Sequence, residues 1–147
     1  MTLFVGESAP SSGDFFYYGN SAMSRYMQRA VEPSLNESGN FLKNFKAYGW
    51  YLDDLVLTPV NHLTRSQRKA KCLGAQNSLA DRIAEYQPLA IVSLLLRIKH
   101  NVDAAAIKAG NNAPRFAVPF PGNGQQARFR NDMARIIPLL PRLTELA

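Results

Sequence analysis

Glu7 is the first residue in the chain whose type and position suggest chemistry. It follows a short apolar run, Leu3–Val5, and a glycine, so a carboxylate stands where a buried strand would end. A carboxylate at the end of a strand can hold or polarise a water molecule in an active site. The alternative is a solvated loop acid or a helix cap. We interpret Glu7 as the candidate catalytic residue.

Four adjacent aromatic residues, Phe15 to Tyr18, follow this carboxylate. Four neighbouring rings cannot all point into one core, so some of them must face a cleft or solvent. A flat ring beside an acid is a natural surface on which a nucleobase can stack. The same rings could instead fill the core beneath the loop. Phe16 and Tyr17 are therefore candidates for contact with a base.

A pair of aspartates and a histidine flank another apolar run. Asp53 and Asp54 precede the run Leu55–Thr58, and His62 follows it. We interpret the run as a strand that brings His62 to its carboxyl end. A single histidine near a strand end is more often structural than catalytic, but His62 could also form an acid–base pair with Glu7.

The segment from Pro119 to Arg130 combines a rigid Pro/Gly loop with the start of a helix. Free backbone amides at a helix start, together with Arg128 and Arg130, would suit a phosphate group of DNA. The alternative is an ordinary turn that carries exposed arginines.

The elements that must position these residues follow from hydrophobic patterning. Short apolar runs bounded by turn residues predict four buried strands: Leu3–Val5, Leu55–Thr58, Leu89–Ser93 and Phe116–Val118. Apolar residues at helical spacing predict five helices: one capped at Asn20 or Ser21 and ended by Pro33, one from Phe41 to Gly49, one capped by Thr64, one over Ala104–Ala109 and one from about Gln125.

This alternation of strands and helices predicts an α/β fold. We expect one domain over residues 1–147, with three α-β-α layers around a four-stranded, mostly parallel sheet. Ligands of such sheets bind outside the carboxyl ends of the strands. That rule selects four loops: Gly6–Gly19, Pro59–Thr64, Leu94–His100 and Pro119–Gln126.

The bulk properties of the chain narrow its class. It has 147 residues, 46% of them apolar, and its longest apolar run is too short to cross a bilayer. The single cysteine, Cys72, excludes an internal disulfide and a cysteine-held iron–sulfur cluster. We expect a cytoplasmic monomer without a signal peptide, membrane contact, metal or cofactor. A net charge of +6 favours a polyanionic partner such as DNA.

Several of these loops carry motifs that occur together in one known family. The chain reads Gly6-Glu7-Ser8-Ala9-Pro10 after its first strand and Phe16-Tyr17-Tyr18-Gly19 before its first helix, followed later by Leu55-Val56-Leu57-Thr58-Pro59 and Phe120-Pro121-Gly122-Asn123. This arrangement resembles the uracil-DNA glycosylase superfamily. Bacterial-type members have Gly-Glu-Ala-Pro-Gly, then Pro-Phe-x-Gly, a proline turn after the second strand, and a final His-Pro loop that opens a helix.

The resemblance implies an enzyme that extrudes a base from DNA and breaks its N-glycosidic bond. It implies that Glu7 positions a water molecule near the glycosidic carbon and that Tyr17 or Phe16 stacks on the base. The DNA phosphates would then contact a set of residues around the last loop: Asn123, Gln125 and Arg128.

The chain departs from the family at one position that bears on the substrate and at another that bears on the reaction. The family reads uracil with an asparagine on the second strand, where this chain has Asp54 and, further downstream, Asn61. An aspartate reverses the donor and acceptor pattern of an amide, so the substrate need not be uracil, and a modified or aminated base would suit an acid that can accept from an exocyclic amine. Phe120 replaces the histidine of the last loop, so one electrophilic donor of the family is missing.

Three functional hypotheses therefore stay open. The first is a glycosylase-like hydrolase that acts on a damaged or modified base in DNA. The second is a catalytically lapsed module of the same fold that binds nucleic acid or a nucleotide. The third is a small-molecule hydrolase in which Glu7 and His62 form an acid–base pair.

Overall fold

A computed structural model describes residues 1–143 of the chain. At its centre lie four strands that pair in parallel, in the order β2-β1-β3-β4: β1 (Thr2–Gly6), β2 (Trp50–Asp54), β3 (Ala90–Ser93) and β4 (Arg115–Ala117). Six α-helices occur in this part of the chain: α1 (Ala22–Leu35), α2 (Phe41–Ala47), α3 (Arg65–Gly74), α4 (Gln76–Tyr86), α5 (Lys99–Lys108) and α6 (Gln126–Ile136). The predicted α/β class and the four-stranded parallel sheet are confirmed.

The sheet separates two apolar cores, which gives the three-layer arrangement. Successive side chains of a strand point to opposite faces, so Phe4 of β1 packs with α1, α2 and α6 in one core. Leu3 and Val5 pack with α3, α4 and α5 in the other. Every residue of β1 is buried, as expected of a parallel strand that is covered on both faces.

The position of the second strand corrects the sequence-based prediction. The run Leu55–Thr58 is not a strand, because β2 comes before it, at Trp50–Asp54. The first two residues of this run are buried, and two backbone bonds hold them beside β1: Leu55 N–H donates to the Gly6 carbonyl at 2.8 Å, and Val56 N–H donates to the Glu7 carbonyl at 2.9 Å. The aspartates therefore lie at the carboxyl end of a strand rather than at its start.

The helix boundaries follow local signals with small differences from prediction. Ser21, not Asn20, caps α1, since its hydroxyl accepts from Ser24 N–H at 3.1 Å. Pro33 lies within the last turn of α1, which continues to Leu35. The helix that Thr64 caps divides into α3 and α4 at Ala75.

The remaining elements lie close to their predicted positions. The last two strands are displaced by a single residue at one or both ends, and the helices predicted at Phe41 and near Gln125 form as α2 and α6. The fourth predicted helix forms as α5, but it begins earlier, at Lys99 rather than Ala104. Part of its inward face consists of the small residues Ala105 and Ala106, which give a weak apolar signal.

The strand order places a crevice at one point of the sheet. From β1 the chain leads to β2 on one side, whereas from β3 it leads to β4 on the other. The carboxyl ends of β1 and β3 therefore flank a topological switch point, where open α/β sheets bind their ligands.

Candidate functional site

A cleft of about 800 Å³ opens at the carboxyl edge of the sheet. Its volume lies within the usual range of ligand sites, about 300–1,000 Å³. The four loops selected from the sequence contribute to its lining, together with the end of β2. The structure brings all eight candidate residues to this one cleft: Glu7, Phe16, Tyr17, Asp54, Asn61, Asn123, Gln125 and Arg128. Their individual roles stay predictions.

Glu7 is held firmly in the cleft by three donors. Its Oε1 accepts from Arg68 and, at 2.8 Å, from Arg97, and its Oε2 accepts from the thiol of Cys72 at 3.6 Å. The side chain is only 10% exposed. A carboxylate has about four acceptor positions, so Glu7 keeps about one for a water molecule. It is a fixed and compensated anion.

The partners of Glu7 come from the segments that follow β2 and β3, the two strands beside β1. Arg68 and Cys72 lie on α3, and Arg97 lies in the short turn that follows β3. Burial, and next the charge of Glu7, raise the pKa of Cys72 to about 11, so the thiol stays protonated and can donate. The sequence analysis did not predict these contacts; the one signal for Arg68 is that four cations lie between Arg65 and Lys71, just after the Thr64 cap.

Asp53 and Asp54 are adjacent but occupy different environments. Because side chains alternate along a strand, Asp53 points towards α4, where Arg82 Nη1 donates to its carboxylate at 2.6 Å and the Tyr86 hydroxyl donates at 3.4 Å. Arg82 also donates to the carbonyls of Asp54 at 2.8 Å and Leu55 at 3.1 Å. A single arginine therefore neutralises Asp53 and fixes the end of β2.

The carboxyl group of Asp54 has no hydrogen bond or ion pair from residues 1–143 and borders the cleft. Burial, and next the nearby charge of Asp53, raise its pKa to about 6, against a smaller lowering by Arg82. Gly6 makes room for this group, since a Cβ at that position would lie 2.7 Å from Asp54 Oδ1. Asp54 is thus a positioned carboxyl group that is free to meet a ligand.

The aromatic residues divide between core and cleft. Phe16 is 4% exposed and packs edge-to-face on Phe45, so its ring belongs mainly to the core. Tyr17 is half-buried and stacks on Tyr51, with ring centroids 5.8 Å apart. Tyr51 is 37% exposed and also lines the cleft. The sequence-based prediction missed Tyr51 because it placed the strand after this residue.

The hydroxyl group of Tyr17 fastens the ring to the edge strand. It accepts from Leu52 N–H at 2.6 Å and donates to the Leu52 carbonyl at 2.8 Å, so it replaces a neighbouring strand at this point of β2. Burial raises the pKa of Tyr17, which keeps the hydroxyl protonated for this donation. The ring is therefore fixed relative to Asp54, two residues further along β2.

The last loop supplies an apolar ring and a basic helix start. Phe120 is 44% exposed in the cleft lining, and its ring lies over Gly122, where a Cβ would approach Phe120 Cε1 to 2.6 Å. Asn123 has a left-handed backbone with φ 55° and is exposed. Arg128 donates to Gln125 Oε1 at 3.1 Å and otherwise faces solvent.

The proposed pairing of Glu7 with His62 does not form. Asn61 and His62 are both exposed, but Asn61 lines the cleft and His62 does not. Within residues 1–143 no hydrogen bond or ion pair links His62 to Glu7, whose partners are the two arginines and the thiol. The basis for a small-molecule hydrolase built on that pair is therefore lost.

In the described part of the chain no three His, Cys, Asp or Glu side chains are grouped to hold a metal ion, and every helix there is too short or too polar to cross a membrane. The sequence matches no known protein-family profile and no curated protein.

Proposed function

We propose that this protein binds a nucleobase in the cleft and hydrolyses the N-glycosidic bond of a modified base in DNA, as a divergent relative of the uracil-DNA glycosylases. One observation carries the proposal. A fixed carboxylate, an unpartnered carboxyl group, exposed rings and a basic helix start all line one cleft at the carboxyl edge of a parallel sheet.

The walls of the cleft suit a flat ligand with a polar edge. Tyr51 and Phe120 expose ring surface to it, and stacking of a base on an aromatic ring contributes about 1–3 kcal/mol. Asp54 presents an acceptor group to the same space. A ligand that combines an aromatic face with hydrogen-bonding groups along one edge fits this lining, and nucleobases have that form.

Glu7 supplies the chemistry in this proposal. The bond between the anomeric carbon and the base nitrogen breaks, and the oxygen of water bonds to that carbon. Water gives up a proton, and the departing base takes one up. The sugar passes through a cation-like state that a nearby anion stabilises. Glu7 is oriented by Arg68 and Arg97, and its remaining acceptor position can hold the water.

The outer part of the cleft suits the DNA backbone. Arg128 and Asn123 are exposed at the start of α6 and line the cleft. Arginine forms strong hydrogen bonds with phosphate, and the net charge of +6 attracts a polyanion. These residues would position the backbone while the base enters the cleft.

A second function, base binding without cleavage, is favoured by one specific observation. Both arginines that hold Glu7 also reduce its negative field. If that compensation leaves too little charge to stabilise a cation-like sugar, the cleft would bind a base and release it unchanged.

Base release from oligonucleotides separates these functions. Duplex and single-stranded DNA would carry uracil, hypoxanthine, xanthine or an alkylated base, and abasic product would be measured. We expect product from at least one substrate, a loss of about 100-fold in Glu7→Gln, and no change in Glu85→Gln, a matched variant at an exposed residue of α4.

The alternatives give different results. Salt-dependent DNA binding with no abasic product from any substrate would support the binding module. Failure to bind DNA even at low salt would contradict both functions.

A further inference from the structure

Three carboxylates line the cleft, and they differ in how they are partnered. Glu7 is held by Arg68 and Arg97, and Asp53 is held by Arg82. Asp54 alone has no hydrogen bond or ion pair to its carboxyl group from residues 1–143. A partly buried polar group without a partner costs stability unless a ligand satisfies it, so Asp54 is the group most in need of one.

The backbone around Asp54 is fixed although its side chain is free. Arg82 binds the Asp54 carbonyl, β2 pairs Asp54 with Gly6 in register, and Tyr17 holds Leu52 two residues earlier. The missing side chain of Gly6 leaves the space that Asp54 Oδ1 occupies. The carboxyl group is therefore presented to the cleft from a rigid support.

The chemistry of an ionised carboxylate limits what it can bind. It only accepts hydrogen bonds, through two oxygens that lie side by side. Guanine matches this pattern, because its edge presents a ring N–H next to an exocyclic amine. Uracil offers one N–H between two carbonyl oxygens, which would face the carboxylate with repulsion. Adenine and cytosine offer an amine beside an accepting ring nitrogen.

We propose that Asp54 selects a base that presents two adjacent N–H donors, as guanine does and as its modified forms do when they keep the ring N–H and the exocyclic amine. This inference rests on the proposed function, since it assumes that the cleft holds a base, and it names the substrate class of that site. Asp54 would act as a specificity-determining residue, whereas Glu7 would act on the sugar.

The protonation state of Asp54 gives the proposal a pH signature. Within residues 1–143 the charged or titratable groups that act on it are Asp53 on β2, Arg82 on α4 and Tyr17, and its pKa is raised to about 6. Above that pH the ionised group accepts two bonds from guanine. Below it, the neutral group both donates and accepts, as an amide does. The preference for guanine should therefore decrease as the pH is lowered from 8 to 5.

Fluorescence anisotropy with short single-stranded oligothymidylates tests this selection. Each oligonucleotide carries one central guanine, hypoxanthine or uracil; hypoxanthine keeps the ring N–H of guanine but lacks the amine. At pH 8 we expect guanine to bind about tenfold more tightly than hypoxanthine. Asp54→Asn should bring that ratio close to one, and Asp81→Asn, at an exposed residue of α4, should leave it unchanged.

Two further measurements keep the proposal falsifiable if Asp54→Asn folds poorly. Gly6→Ala should displace the carboxyl group and reduce the same ratio, and the wild-type ratio needs no variant. Equal binding of guanine and hypoxanthine by the wild type, or a tenfold ratio that persists in a folded Asp54→Asn variant, would overturn the inference.

Its failure can be distinguished from failure of the proposed function. Abasic product from uracil-containing DNA, with no guanine preference, would overturn the inference and leave the glycosylase proposal standing. A guanine preference without abasic product from any substrate would support the inference and leave only the binding function. The absence of both binding and product would remove both.

Discussion

The ends of β1 and β2 present carboxylates to the same cleft in opposite states. Glu7, after β1, is surrounded by donors from α3 and from the turn after β3. Asp54, at the end of β2, has none from residues 1–143, because Arg82 is engaged by Asp53 and by backbone carbonyls. A compensated carboxylate is held in one geometry, whereas an uncompensated one is available to a ligand. The difference indicates positioning at β1 and recognition at β2.

Removal of Arg82 should cause the largest loss of stability, because Arg82 holds Asp53 and the end of β2. In Arg82→Met, Asp53 would be left with a largely buried charge and the end of β2 would lose two side-chain hydrogen bonds. Breaking a buried ion pair by removing one partner costs about 3–5 kcal/mol, and we expect about 3 kcal/mol, measured by urea unfolding. The double variant Arg82→Met/Asp53→Asn should recover part of the loss. Equal stabilities for the double and single variants would show that the pair does not matter.

Removal of the Glu7 charge should have the next largest effect. Glu7→Gln keeps the shape of the side chain but leaves Arg68 and Arg97 facing each other without an anion. Because Arg97 is 53% exposed, solvent screens part of the repulsion, and we expect a loss of about 2 kcal/mol in the free energy of unfolding. High salt should reduce this loss. Stability equal to that of Glu85→Gln would mean that Glu7 is not held as described.

Loss of the Tyr17 hydroxyl tests whether this group fixes the Tyr17 ring to β2. Tyr17→Phe removes both hydrogen bonds to Leu52. A net loss of about 1–2 kcal/mol is expected for such bonds, together with faster amide exchange at Leu52. Tyr18→Phe, at a residue that is exposed on the same turn, serves as the matched control. Unchanged amide exchange at Leu52 would contradict the hydrogen bonds between the Tyr17 hydroxyl and Leu52.

The effect expected at Asp54 differs from these three because it depends on pH. The pKa of Asp54 is raised from 3.8 to about 6 in the folded protein, so the folded state binds more protons than the unfolded state between these values. The stability of the wild type relative to Asp54→Asn should therefore fall as pH rises from about 4 to about 6 and then level off. Thermal unfolding of both proteins across pH 3–8 measures this, and a constant difference would place Asp54 in an ordinary environment.

The spacing of apolar residues along the sequence predicted much of the fold, but it misplaced β2 for a physical reason. The run Leu55–Thr58 is the more apolar segment, yet its first two residues are buried through backbone bonds to Gly6 and Glu7 rather than in a strand. The strand itself ends in Asp53 and Asp54, and Arg82 makes that possible from about 30 residues away. Such a distant partner leaves no local pattern.

The sequence predicted the location of the candidate site better than the interactions within it. The rule that ligands bind at the carboxyl ends of strands selected the four loops that line the cleft, but it did not select Asp54, because the predicted strand began after this residue. The same rule says nothing about ion pairs, so the arginines at Glu7 and the isolation of Asp54 emerged only from the folded structure. Phe16 and Tyr17 differ similarly: one ring enters the core and the other remains at the cleft.

Titration of the Asp54 carboxyl carbon by NMR tests the central claim most directly. In the free protein we expect a pKa of about 6. Saturation with a guanine-containing oligonucleotide should lower it, because the ionised form is the one that binds, while a uracil-containing oligonucleotide should not. A pKa that is the same with and without the guanine ligand would contradict the account, since the cleft would then hold no base against this carboxyl group.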